Sequence, residues 1–355
     1  MMLSIFSTLA KVIKIFSSDL KLMFYFAVFL MVLTMFFEAI SLGLIFPIIT
    51  MFSSETRMPF DFQISSFNLN NYLQSITPIN FLIILIFIYT FKLIFLVFNS
   101  YFQSFFTFKV MSYISKKLFN NYIYQNYNYL IYSNTSLLIR NIVNESSQFA
   151  KGIVQPILIL FSEFLIIIGI IILLLVVDIT SVVIISFFFL MFILIFSFFT
   201  KKKISQYGKQ KQIYEGERIK TINQTFQSIS FIKSAFMEKI FENVYEKNIE
   251  KVMTSAMYQQ FFNRLPKIWL EYVAIISVLL LILLTYNNNN SFIFIAKIAV
   301  FAIAGIKILP SINKIIISSQ SINYSMPSMQ LIDKDLNLKT PFNKFDDAFT
   351  GLKSL

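Results

Sequence analysis

Long apolar blocks alternate with charged, helix-periodic stretches along this chain. Six blocks stand out: Lys21 to Thr50, Ile79 to Ser100, Pro156 to Val177, Ile179 to Thr200, Ile268 to Tyr286 and Phe292 to Ile317. Each reaches the roughly 20 apolar residues that cross a bilayer as a helix. Only helices and closed barrels satisfy their backbones in lipid, and these blocks lack the alternation of barrel strands. The pattern predicts an all-α membrane protein of six transmembrane helices. Little more than Asp178 separates the third and fourth blocks, which predicts a tight hairpin with Asp178 as N-cap. Asn287 to Asn290 form a polar turn between the fifth and sixth.

The second-to-third and fourth-to-fifth connections span about 55 and about 65 residues, and both keep helical spacing. In the later one Ile219, Ile222, Phe226, Ile229 and Ile232 recur at three- and four-residue steps, as do Ile240, Val244, Ile249 and Val252. The simplest fold extends each membrane helix roughly 35–40 Å beyond the bilayer, turns through a short crosswise segment and returns. The first crosswise segment is placed at Gln125 to Tyr132, before the cap-like pair Ser133-Asn134. The second is placed near Gln224 to Ser230. The tyrosines at 122, 124, 127, 129 and 132 fit either packing between long helices or a docking surface for another protein.

Composition narrows the chemistry. Of 355 residues, 57% are hydrophobic and 14% charged, and there is no Cys or His. Thiol nucleophiles, disulfides, Cys/His zinc sites and His-based acid–base catalysis are therefore excluded. The net charge of +12 would suggest nucleic acid in a soluble chain. Here topology explains it, and no nucleic-acid partner is expected. Lys11, Lys14 and Lys21, then Lys109, Lys116, Lys117, Arg140 and Lys151, then the run from Lys201 to Lys267, fall on one side; the opposite loops hold only Arg57. Both termini and both large loops are thus predicted to be cytoplasmic. Leu3 to Phe16, interrupted by Lys11 and Lys14, predicts an amphipathic helix on the inner membrane face.

Ionisable residues inside spans are costly and usually face a bundle interior or a cavity. Six stand out: Glu38, Lys92, Glu163, Glu271, Lys297 and Lys307. All but Lys297 lie about 12 to 16 residues from the outer end of their span, a layer roughly 20 Å deep. Antiparallel neighbours make Glu38 with Lys92 one expected pair and Glu271 with Lys307 a second. Such pairs either only neutralise each other or line a polar cavity for an anionic headgroup. Glu38, Lys92, Glu163, Glu271 and Lys307 are therefore the candidate cavity residues.

Four strings resemble the exporter-type (type 1) transmembrane domain of ABC transporters. Glu38 to Pro47 (EAISLGLIFP) is similar to the first-helix motif of bacterial flippases for lipid-linked oligosaccharides. Leu138 to Glu145 (LIRNIVNE), Gly216 to Gln224 (GERIKTINQ) and Phe262 to Lys267 (FNRLPK) resemble the helix entries around their cytoplasmic extensions. The resemblance covers residues 1 to 325 and implies an interfacial elbow helix over 1–19, a six-helix domain over 20–325, and a linker leading into a nucleotide-binding domain over 326–355. It further implies a homodimer in the inner (plasma) membrane, an exporter or flippase moving a lipid or lipid-linked glycan, and an external helix within Met58 to Ser75 carrying Phe60, Phe62, Phe67 and Leu69. The crosswise segments would dock on the nucleotide-binding domain, which makes Gln125, Tyr127, Tyr129, Tyr132, Gln224, Phe226 and Gln227 the candidate coupling residues.

The ATPase itself is missing from these residues. Gly208-Lys209 is the sole Gly-Lys pair, and Gln210 follows where a phosphate loop needs a hydroxyl. The chain is expected not to be an enzyme by itself, with ATP and magnesium bound by a separate or missing domain. Fragment, split gene product and recruiting subunit remain open. Two other classes compete: a scaffold that transports nothing, and a membrane-embedded transferase, which the scarcity of acids disfavours.

Overall fold

The computed structural model describes residues 2–44, 63–64, 67–68, 78–177, 179–285 and 291–338. Helix α1 (Met2–Ile15) ends at a short break, and α2 (Ser18–Gly43) begins under the N-cap Ser17, whose Oγ accepts the Leu20 N–H. Asp19 in the first turn complements the positive end of the helix dipole. Helix α3 (Pro78–Ile123) opens on a proline, whose missing N–H costs nothing at the first helical position. After α3 comes a six-residue helix, α4 (Tyr127–Tyr132), lying within the segment predicted to run crosswise.

Asn134 then caps the next helix, its Oδ1 accepting the Ser136 N–H at 3.0 Å. This helix, α5, spans 135–177 and is interrupted by π-helical turns at Asn141–Glu145 and Ala150–Val154. The last long pieces are α6 (Ile179–Gln227), α8 (Glu238–Thr285) and α9 (Ser291–Leu336), with the short α7 (Ile229–Ser234) between α6 and α8. Among the described residues, Ser18–Gly43, Ile79–Ile123 and Thr135–Leu175 are long and apolar enough to cross a membrane.

Two expectations change. The short helix at the second tip, expected near Gln224 to Ser230, is Ile229–Ser234, because α6 continues without a break to Gln227 and yields only at Ser228. Periodic apolar spacing runs through both helices, so the pattern alone did not mark the break. Phe236 then adopts φ 53°, the left-handed conformation that reverses the chain into α8. In the loop expected to hold an external helix, Gln63–Ile64 instead pairs antiparallel with Phe67–Asn68. Phe60, Phe62 and Leu69 lie outside the described residues, as do Arg57, Asp178 and Asn287 to Asn290, and so does the Lys297 side chain.

The main core gathers α1, α2, α3, α5 and α9 around Val12, Phe24, Met31, Phe106, Ile114, Leu118, Phe149, Ile153, Leu158, Ile322 and Ile332. Phe16 meets Phe106 edge-on, with centroids 5.8 Å apart, so α1 is packed into the bundle through its C-terminal end. Met329 and Ile332 belong to the same core, so the boundary expected at residue 325 falls inside α9. Helices α6 and α8 pair along their length, with Tyr207 stacked on Tyr258. Close approach of α6 to α9 needs Gly208, since a Cβ there would sit 2.0 Å from the Tyr324 carbonyl oxygen. Many large apolar side chains of α3, including Ile83, Phe87 and Ile94, point outward, as suits a lipid-facing surface.

Candidate functional site

Thr34, Glu38 and Ser41 fall at i, i+4 and i+7 on α2 and share one buried stripe. The facing stripe of α3 carries Tyr89, Lys92 and Asn99, at i, i+3 and i+10. Lys92 Nζ donates to Glu38 Oε2 at 2.8 Å and to Ser41 Oγ at 2.6 Å. Tyr89 OH donates to the Ser41 carbonyl at 2.7 Å, and Asn99 Nδ2 to Thr34 Oγ1 at 2.8 Å. Glu38 is 7% exposed and Lys92 5%. A buried carboxylate carries a desolvation cost of several kcal/mol, which its partners must offset.

A second ammonium reaches the same carboxylate. Lys307 of α9 lies 3.4 Å from Glu38 Oε2, with 43% of its side chain exposed. One carboxylate thus faces two ammoniums, for a net charge of +1. Lys307 was expected to pair with Glu271. Glu271 is instead exposed on α8 and makes no ion pair among the described residues. Equal depth in the membrane does not place two side chains on facing sides of their helices.

Glu163 of α5 is buried and accepts from Lys314 Nζ at 2.6 Å. Sequence reasoning overlooked Lys314. The signal was available: Lys314 follows Lys307 by seven residues, hence on the same face of α9. The two lysines direct α9 at carboxylates on two different helices. Both ammoniums stay partly open, so the layer offers positive charge that is not fully enclosed.

A second polar cluster joins the extensions. Asp335, in the last turn of α9, accepts from Tyr122 OH of α3 and, at 3.0 Å, from Asn141 Nδ2 of α5. Asn141 Oδ1 accepts from Arg140, whose Nη1 also donates to the Gln212 carbonyl of α6 at 3.1 Å. Arg140 Nε lies 3.5 Å from Glu145 Oε1. Burial, then Asp335, holds the Tyr122 phenol well above its ordinary range, so it stays a donor. Burial likewise lowers Lys211 and raises Tyr324, whose ring lies under the Lys211 ammonium. The two strings 138–145 and 216–224 meet here. Gly216 lies against Arg140, and Asn223 Nδ2 donates to Ser136 Oγ at 2.9 Å. From sequence, only those two strings and Tyr122, as part of the tyrosine run, were picked out; Asp335 was not.

The candidate coupling residues occupy two tips. Tyr127 and Tyr132 of α4 are exposed, Tyr132 at 90%, while Tyr129 is half-buried. The Tyr129 phenol is raised by burial and by the nearby Asp335 charge. Asn128, Tyr129, Tyr132 and Ser133 line a surface hollow of about 400 Å³. Gln125 sits in the turn before α4, its N–H donating to the Tyr122 carbonyl. Gln224, Phe226 and Gln227 are exposed in the last turn of α6, ahead of α7 rather than within it.

The sequence profile of the ABC transporter transmembrane region matches residues 21–315. No curated protein matches the chain. The profile runs from the start of α2 to about the middle of α9, and the chain belongs to the ABC transporter transmembrane region family.

Proposed function

We propose that this chain is the membrane subunit of an exporter-type ABC transporter that moves an amphipathic substrate with an anionic headgroup, such as a lipid-linked oligosaccharide. In this reading six helices cross the inner (plasma) membrane, both termini are cytoplasmic, and two copies form the working unit. ATP and magnesium are bound by a nucleotide-binding domain outside these 355 residues, docked on α4 and α7. The observation that supports the substrate class is the Glu38–Lys92–Lys307 triad, in which two ammoniums share one carboxylate and one of them is half-open.

The mechanism follows from competition. A headgroup phosphate and Glu38 seek the same lysines, and lysine binds phosphate as a point charge. A ligand shifts the inward–outward equilibrium only as far as it binds the two states differently. Closing the bundle around α9 changes how far Lys307 and Lys314 reach the headgroup, and ATP acts through its own domain.

Lys307→Met in the ATPase-bearing complex tests this. Glu38 keeps Lys92, so the fold survives, while the open ammonium is lost. Transport of the lipid-linked substrate should fall by roughly tenfold, the size of one charge-assisted contact. Transport at the wild-type rate by a well-folded Lys307→Met complex would remove the headgroup role.

A further inference from the structure

The end of α9 breaks a local rule. A helix C-terminus is the negative end of the macrodipole and disfavours carboxylates. Asp335 nevertheless sits in the last turn of α9, 9% exposed. Two groups from separate helices compensate it: the Tyr122 hydroxyl and the Asn141 amide both donate to Oδ2. The main chain is gripped as well. Asn121 Nδ2 lies 3.3 Å from both the Asp335 and the Leu336 carbonyl oxygens, which the helix leaves without internal partners. Asn121 and Tyr122 are the last residues but two and but one of α3, and α4 begins at Tyr127.

The membrane layer draws on the same three helices, with Glu38 of α2 bridging Lys92 of α3 to Lys307 of α9. Helix α3 supplies Lys92 and Tyr122, α5 supplies Glu163 and Asn141, and α9 supplies Lys307, Lys314 and Asp335. From Lys307 to Asp335 α9 runs 28 residues, about 42 Å of helix. A buried polar group set against local preference, and fully satisfied by distant partners, marks a site under functional constraint.

We propose that Asp335 is a positioning residue: with Tyr122, Asn141 and Asn121 it clasps the cytoplasmic end of α9 to the base of α4, so that α9 and the first crosswise segment move as one body. The clasp gives the membrane layer a rigid route to the surface where the ATPase docks. It rests on the transport reading above only for the identity of that docking surface.

The chain contains no cysteine, so Tyr132→Cys and Asn337→Cys, spin-labelled in the full chain in nanodiscs, report the α4-to-α9 distance directly. A second pair, Ile213→Cys and Met253→Cys, reports the α6–α8 hairpin as a control. With Asp335 present the first distribution is narrow. Asp335→Ala should widen it roughly twofold as the clasp opens locally, leaving the control pair unchanged. Asp335→Asn keeps an acceptor oxygen and should restore the narrow distribution. Equal widths in wild type and Asp335→Ala would overturn the clasp, and so would widening that appears equally in the control pair. Loss of transport in Lys307→Met with a narrow α4-to-α9 distance would speak to the headgroup reading alone.

Discussion

The membrane layer and the cluster between the helix extensions each surround a buried carboxylate, and they satisfy it with different chemistry. Glu38 is held by two ammoniums, one of which also donates to Ser41 Oγ. Asp335 is held by a tyrosine, an asparagine and, among the described residues, no cation. In the low-dielectric span an isolated charge is so costly that only an opposite charge offsets it. Nearer water the requirement relaxes, and neutral donors with fixed geometry suffice. Under the function proposed above, the first arrangement trades its carboxylate for a headgroup anion. The second holds its partners in one geometry and exchanges with nothing.

Mutations should separate the two. The largest effect is expected at Glu38→Leu, which leaves the Lys92 ammonium buried without its carboxylate. Breaking a buried pair from one side costs about 3–5 kcal/mol, whereas removing both charges is far milder. Chemical denaturation in mixed micelles should therefore show a large loss for Glu38→Leu and substantial recovery in the Glu38→Leu, Lys92→Leu double variant. A double variant no more stable than the single one would mean the layer is not a charge pair in energetic terms.

Tyr122→Phe comes next. It removes a neutral donor from Asp335 and should cost about 1–3 kcal/mol, the range for leaving one buried acceptor short. It also has a pH signature. The folded-state Tyr122 is raised above its ordinary value near 10. A group raised on folding contributes stability that is full below the unfolded value and is lost as pH climbs above it. Wild-type stability should thus fall as pH rises above about 10, and Tyr122→Phe should fall less steeply. Parallel pH curves would deny the phenol its donor role.

The smallest effect is expected at Lys239→Ala. Its partner Glu242 is, like Lys239, largely exposed on α8, and such pairs contribute within about 0.5 kcal/mol. A loss approaching that of Tyr122→Phe would blur the contrast between solvated and buried polar contacts.

Much of the long-helix framework was legible from apolar block length, and α4 from the Ser133-Asn134 cap. Glu38 with Lys92 was legible because consecutive antiparallel helices bring equal depths together. Lys307 was drawn to the wrong partner because depth says nothing about which way a helix is turned about its axis. The α6–α7 break was misplaced because the apolar repeat does not pause at Ser228. Asp335 was invisible for a different reason. It stands in a polar stretch of sequence, and its partners are 213 and 194 residues away. No local pattern encodes a contact made only after the bundle has closed.

The α6–α8 hairpin ends in a tip where Phe226, Phe231, Phe236 and Ile240 are all exposed, beyond the apolar blocks that lipid would cover. For a cell this sets an order of assembly. A newly made chain with bare aromatic side chains in water is a target for chaperones, for proteolysis and for self-association until something covers them. If the nucleotide-binding domain seats on that tip, as proposed above, the abundance of this chain should follow its supply, so that the partner acts as a stoichiometric gatekeeper of its biogenesis.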